Sequence, residues 1–189
     1  MMVETSRTGE PPMQPSDEAT REELRLAREQ GEAYRKALMY MIQEEARDGA
    51  EQPAGDYLVG YAVEAAEGMY ELRDGRLEWH SPQAENLHLE ITVRDRSDGR
   101  FVPGLTVDAT LIDADGQVVG TYRQPFLWHP WRYHYGRNWE APGDGRYRLL
   151  VRIEPPEFPR HDKINGRRYA EPVEVEFDKV PVETGRKRS

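Results

Sequence analysis

Residues Asn86–Val93 read NLHLEITV. Leu87, Leu89, Ile91 and Val93 alternate with His88, Glu90 and Thr92, and successive side chains of an extended chain point to opposite faces. The run therefore predicts a β-strand with an apolar face turned to a core and a polar face turned outward.

The same period continues on both sides of it. Upstream, Tyr57–Val63 is a candidate strand, and Tyr70–Leu72 and Leu77–Trp79 flank Arg73-Asp74-Gly75-Arg76, an Asp-Gly turn of the hairpin kind. Downstream, Ser97-Asp98-Gly99 turns the chain into Phe101–Ile112, where Leu105, Val107, Ala109 and Leu111 alternate. Asp113-Ala114-Asp115-Gly116 precedes Val118–Tyr122, Asp144-Gly145 precedes Tyr147–Ile153, and Val173–Phe177 ends the series. Seven or eight short strands separated by turn signals predict an all-β fold, an immunoglobulin-like antiparallel sandwich.

An added α-helix is expected ahead of it. Thr20 and Glu23 have capping-box spacing, helix formers run from Leu24 to Ala46 with Gly31 the one weak point, and Tyr34, Ala37, Leu38, Met41, Ile42 and Glu45 lie along one side. That stripe predicts docking onto the β-domain or onto a second copy of the chain. The organisation expected is a disordered tail over 1–16, the helix within 17–48, a Gly- and Pro-containing linker over 49–56, the β-domain over 57–180 and a solvated basic tail over 181–189.

Composition narrows the function. A net charge of −9 disfavours nucleic acid as a partner, and the absence of cysteine removes disulfides, thiolate catalysis and thiolate metal sites. The opening residues lack an apolar h-region and no run has the length of a membrane span, so the expectation is a soluble chain without a signal peptide, cytoplasmic if complete. No nucleophile elbow, phosphate loop or His-Glu-x-x-His helix is present, and no enzyme activity is expected.

Phe126–Trp139, FLWHPWRYHYGRNW, holds three of the 4 tryptophans and two of the 5 histidines. With Pro130 inside it and no apparent alternation, it reads as a long ordered loop across the mouth of the β-domain. Its rings could cap the core, stack on a flat ligand or wall a metal site. His88 and Glu90, two apart on one strand face, project in parallel at roughly 7 Å, a span one cation can bridge. His134 lies in the aromatic stretch and His161 in the irregular segment 154–171; if these loops converge on the strand, three imidazoles and a carboxylate compose a site for a divalent transition metal.

The phrases LHLEITV (Leu87–Val93), FVPGLTVDATL (Phe101–Leu111), HYGRN (His134–Asn138), GDGRYRLLVRIEPP (Gly143–Pro156) and Arg160-His161 resemble the ferrous-iron-transport-associated periplasmic proteins, small copper- and iron-binding immunoglobulin-like domains that work beside iron permeases. The resemblance spans Tyr57–Phe177. It implies metal ligation by His88, Glu90, His134 and His161, a homodimer, and a membrane permease as partner. The family's methionine ahead of His-Tyr-Gly has no counterpart at Pro125-Phe126-Leu127, so zinc, cupric copper, manganese and ferrous iron stand level; His129 is a reserve ligand, and Glu64 and Glu67 are auxiliary carboxylates. The alternative expectation is a carbohydrate- or small-ligand-binding sandwich that stacks its ligand on Trp128, Trp131, Tyr135 and Trp139. A third is a scaffold that dimerises through its helix.

Overall fold

Both faces of the NLHLEITV strand are covered. In the computed structural model, which describes residues 12–187, it extends over Leu87–Asp95 and every one of its nine side chains is buried. In chain order the elements are α1 (Arg21–Glu44), β1 (Asp48–Ala54), β2 (Tyr57–Glu64), β3 (Met69–Arg73), β4 (Arg76–His80), β5 (Leu87–Asp95), β6 (Val107–Ile112), β7 (Val118–Arg123), β8 (Phe126–Trp128), β9 (Tyr133–Trp139), β10 (Gly145–Ile153) and β11 (Val173–Val182). They form a 5-stranded sheet ordered β1-β2-β5-β9-β8, a 4-stranded sheet ordered β11-β10-β6-β7 and the separate hairpin β3-β4. Among the described residues every pairing between these strands is antiparallel, and the two larger sheets make the expected β-sandwich.

The core lies between the sheets. Leu87, Leu89, Ile91 and Val93 of β5 face Val107, Ala109 and Leu111 of β6 and Leu149, Val151 and Ile153 of β10, all with no accessible surface. Each full burial of such an aliphatic larger than alanine contributes about 1.5–3 kcal/mol, and a slip of one residue would turn all four β5 side chains away from the core. The β3-β4 turn has positive φ at Asp74 (48°) and Gly75 (76°), the combination that an Asp-Gly hairpin supplies.

Helix α1 starts at the predicted cap: Thr20 Oγ1 accepts from Glu23 N at 3.2 Å, and the Glu23 carboxylate accepts from Thr20 N at 2.7 Å. Its stripe docks on the outer face of the chain's own 5-stranded sheet, where Leu38 and Met41 pack on Ala62 of β2. The stripe is thus covered within one chain, and the reason it gave for a second copy falls away. Gly31 allows a close approach, since a Cβ there would lie 1.8 Å from the carbonyl oxygen of Asp98.

Several expectations are corrected. The stretch read as a linker is strand β1, paired residue for residue with β2 from Asp48↔Val63 to Ala54↔Tyr57. Pro53 is tolerated because β1 is an edge strand. The aromatic stretch is no loop but the hairpin β8-β9, whose turn contains Pro130. Within β9, Tyr135 and Trp139 enter the core at 1% exposure while His134 points the other way; large rings on the core face and polar groups on the other hid an ordinary alternation. A stacking platform made of Trp128, Trp131, Tyr135 and Trp139 is therefore not formed, because two of the four belong to the core.

The predicted strand at 101–112 begins only at Val107, after Pro103 and Gly104. Of the expected N-terminal tail, residues 1–11 lie outside the described residues; beyond them Gln14 N donates to Asn165 Oδ1 at 2.9 Å and Ser16 Oγ to Asp162 Oδ2 at 2.7 Å. The expected basic tail is likewise engaged as far as Lys187, while Arg188 and Ser189 lie outside the described residues.

Candidate metal centre

The polar face of β5 is buried because α1, the β8-β9 turn and the segments flanking β2 and β11 cover it. Opposite β5, β9 pairs Asn138 with His88 and Gly136 with Glu90, so His134, Gly136 and Asn138 share a face with the two β5 residues. On the other side Glu64 of β2 is opposite His88. Tyr34 of α1 donates its hydroxyl to the carbonyl of Tyr133, and Tyr40 meets Trp131 edge-on at 5.9 Å, which holds the β8-β9 turn over the site.

His88, Glu90 and His134 each place a ligand-capable atom within 4.8 Å of the others. Glu90 Oε1 is 3.3 Å from His134 Nε2 and 3.9 Å from His88 Nε2. Neighbouring nitrogen ligands on tetrahedral zinc lie roughly 3.3 Å apart, so a small inward shift suffices to seat one ion.

Among the described residues, His88 Nε2 and both ring nitrogens of His134 are buried without a hydrogen-bond partner. Buried polar atoms are rarely left so, and further along the same face Arg94 donates from Nε to Glu51 Oε2 at 2.9 Å. Gly136 provides the room: a Cβ there would lie 3.2 Å from His134 Cδ2, 3.4 Å from His88 Nε2 and 2.9 Å from the carbonyl oxygen of Leu89.

Asn138 sets the state of His88. Its Nδ2 donates to the carbonyl oxygen of Glu67 at 2.7 Å, which turns its Oδ1 toward His88 Nδ1 at 3.0 Å. A carbonyl oxygen can only accept, so Nδ1 carries the proton and the Nε2 lone pair faces the cluster. For His134, burial, followed by the nearby Arg132, lowers its pKa to about 2 and keeps it a neutral imidazole.

Charged groups surround these imidazoles. Arg132, 4% exposed, donates from Nη2 to Glu90 Oε1 at 2.7 Å, and the same nitrogen lies 3.8 Å from Glu64 Oε1. Burial works against the arginine's charge, but Glu90, Tyr34 and Glu64 together outweigh it and the pKa is raised. Glu67 Oε1 lies 3.8 Å from His88 Nε2, while its Oε2 accepts from Lys187 Nζ at 2.7 Å. Burial pushes the Glu67 carboxyl up, yet the positive charges that can face it, a protonated His88 first and then Lys187, bring it below the ordinary carboxylate value. Lys187 also donates to Glu64.

His161 is not in this group. Its side chain is 92% exposed and its Nδ1 lies 3.3 Å from Glu18 Oε2, so the four-residue convergence expected from the sequence does not form within the chain. Reserve residue His129 stands with its ring centroid 6.4 Å from that of His134 and edge-on to Trp131 at 5.5 Å. Asn138 was passed over in the sequence, and its spacing of four from His134 puts it on the same face once 133–139 is known to be a strand. Arg132 and Lys187 carried no sequence signal, because one is placed by a turn and the other by a segment that crosses from beyond β11.

A sequence profile described as Fe2+ transport protein matches residues 40–180. The chain belongs to the Fe2+ transport protein family. Solved structures share its fold. FetP of uropathogenic E. coli strain F11, recombinantly expressed in the periplasm, aligns with TM-score 0.60 and 23% identity over 72% of this chain and 94% of that one. Copper-reconstituted P19 from Campylobacter jejuni aligns with TM-score 0.62 and 21% identity over 74% of this chain and 96% of that one. No curated protein matches the sequence. Like those two, this family member is an antiparallel β-structure; it carries α1 on its outer sheet face, and among the described residues no helix is long and apolar enough to cross a membrane.

Proposed function

We propose that the protein captures a divalent transition metal ion, whether iron, copper, zinc or manganese, through His88, Glu90 and His134, in support of metal uptake or homeostasis. One observation carries the reading: two buried imidazoles aim unpartnered Nε2 atoms at a single carboxylate oxygen. Imidazole nitrogen and carboxylate oxygen are a donor set suited to these ions. Glu90 can bridge, because a carboxylate offers about four lone-pair positions, enough for Arg132 and an ion together. The proposed activity is binding and transfer rather than turnover.

Membership of the Fe2+ transport protein family supports a role beside a membrane permease, and the periplasmic expression of FetP supports an extracytoplasmic setting. Three ligands leave coordination positions open to water or to a group brought from outside. The exposed imidazole of His161 on a second copy is one such group, and the homodimer enters the proposal on that basis.

Metal analysis of protein purified without an affinity tag, followed by titration with zinc and copper chlorides, tests the reading. Stoichiometric uptake is expected in the wild type and loss of it in both His88→Ala and His134→Ala. Retention of the ion by both variants would overturn it.

A further inference from the structure

We propose that Lys187 is a built-in competitor for the ion: its ammonium closes a cation position formed by Glu64 and Glu67 beside the imidazoles, and capture of the ion drives it out. This inference rests on the metal-binding reading above and goes beyond it.

The segment after β11 lies across the end of the site as a strap. Ala66 N donates to the carbonyl of Gly185 at 2.9 Å, Lys187 N to that of Ala66 at 2.7 Å, and Arg186 Nε to that of Glu85 at 2.8 Å. With its backbone thus fixed, Lys187 delivers its ammonium to both carboxylates. The position it closes belongs to the centre, because Glu67 is the link: one of its oxygens is held by Lys187, and the other lies 3.8 Å from the fully buried, unpartnered Nε2 of His88.

Charge balance decides which group must move. With the imidazoles neutral, the form in which they coordinate, three carboxylates face two protein cations, Arg132 and Lys187, and the cluster carries one net negative charge. A divalent ion added to this set would leave a net positive charge in a buried place, which is costly. Expelling one protein cation restores neutrality. Arg132 has a side chain only 1% exposed and is walled in, whereas the side chain of Lys187 is 44% exposed and can rotate into water without disturbing its backbone anchors. Release of Lys187 also frees an oxygen of Glu67, which becomes an additional donor next to His88. The lysine thereby holds the carboxylates together in the unloaded protein and sets how tightly the ion is kept.

Amine labelling of the full chain with an acetylating reagent, read by mass spectrometry at each lysine, reports the displacement. On addition of one equivalent of zinc chloride, or of copper chloride in a parallel sample, labelling of Lys187 should rise several-fold while Lys36, Lys163 and Lys179 stay constant. The variant Lys187→Met should bind the same ion about tenfold more tightly, the scale of removing one nearby like charge. Unchanged or reduced labelling of Lys187 at saturation, or an affinity of Lys187→Met no higher than that of the wild type, would overturn the proposal. The labelling uses the wild-type chain, so it does not depend on the variant folding. Absence of uptake of either ion by the wild type would sink the metal-binding reading itself, whereas uptake that needs His88 and His134 but leaves Lys187 unmoved would sink only this one.

Discussion

Asn138 Oδ1 lies 3.0 Å from His88 Nδ1, and the other end of the same amide is fixed by the carbonyl of Glu67. The pair sets the tautomer of a buried imidazole that is proposed as a metal ligand. Replacing Asn138 by Ala removes the acceptor and lets the ring rotate or shift its proton. Zinc affinity should fall by about 10–100-fold with little change in the circular dichroism spectrum, as is usual for groups that orient metal ligands. Unaltered affinity would show that the tautomer is set elsewhere.

Gly136 keeps the two imidazoles apart from the β9 backbone. In Gly136→Ala the new methyl would lie 2.9 Å from the carbonyl oxygen of Leu89 and 3.4 Å from His88 Nε2. Overpacking of this kind costs about 1–3 kcal/mol, and the variant should lose both stability in urea and uptake of the ion. A variant as stable and as tightly binding as the wild type would mean that the cradle is slack.

Gly31 offers a test with an unusual sign. Helix propensity alone favours Gly31→Ala by about 1 kcal/mol. The site of contact reverses this, since the added Cβ would meet the Asp98 carbonyl oxygen at 1.8 Å and push α1 off the sheet. A net destabilisation of about 1–3 kcal/mol is expected from urea unfolding, and a gain in stability would show that the helix can shift freely.

The stability of the metal-free protein should fall on acidification because of His134. Its folded pKa is lowered from 6.5 to about 2, so below 6.5 the unfolded chain takes up a proton that the folded chain refuses. Protonation therefore favours unfolding, and the stabilisation present above pH 6.5 is progressively lost as the pH drops toward the folded value. Between about pH 7 and pH 5 this one group should remove about 2 kcal/mol. Urea midpoints compared with those of His134→Leu should show the smaller pH dependence in the variant, and parallel curves would argue against a neutral His134.

Much of the fold was legible because its determinants are local. Leu87, Leu89, Ile91 and Val93 fix a strand and its core face by alternation alone, and Thr20 with Glu23 fixes the start of α1 by spacing alone. β1 was missed because an edge strand tolerates the Gly and Pro that normally mark a linker, and β9 because Pro130 and the rings around it masked period two. Three of the four expected ligands meet, since His88, Glu90 and His134 sit on neighbouring paired strands where alternation dictates the face.

The chain on its own thus determined which residues alternate, which turn and which cap, together with the face of β5 on which His88 and Glu90 stand. Whether that face met solvent or became buried was decided only when α1 and the β8-β9 turn came to lie over it, because burial depends on what another part of the chain brings near. The same holds for charge. Arg132 and Lys187 reach the carboxylates, and His161 stays away from them, through packing between segments distant in sequence, which no local periodicity encodes.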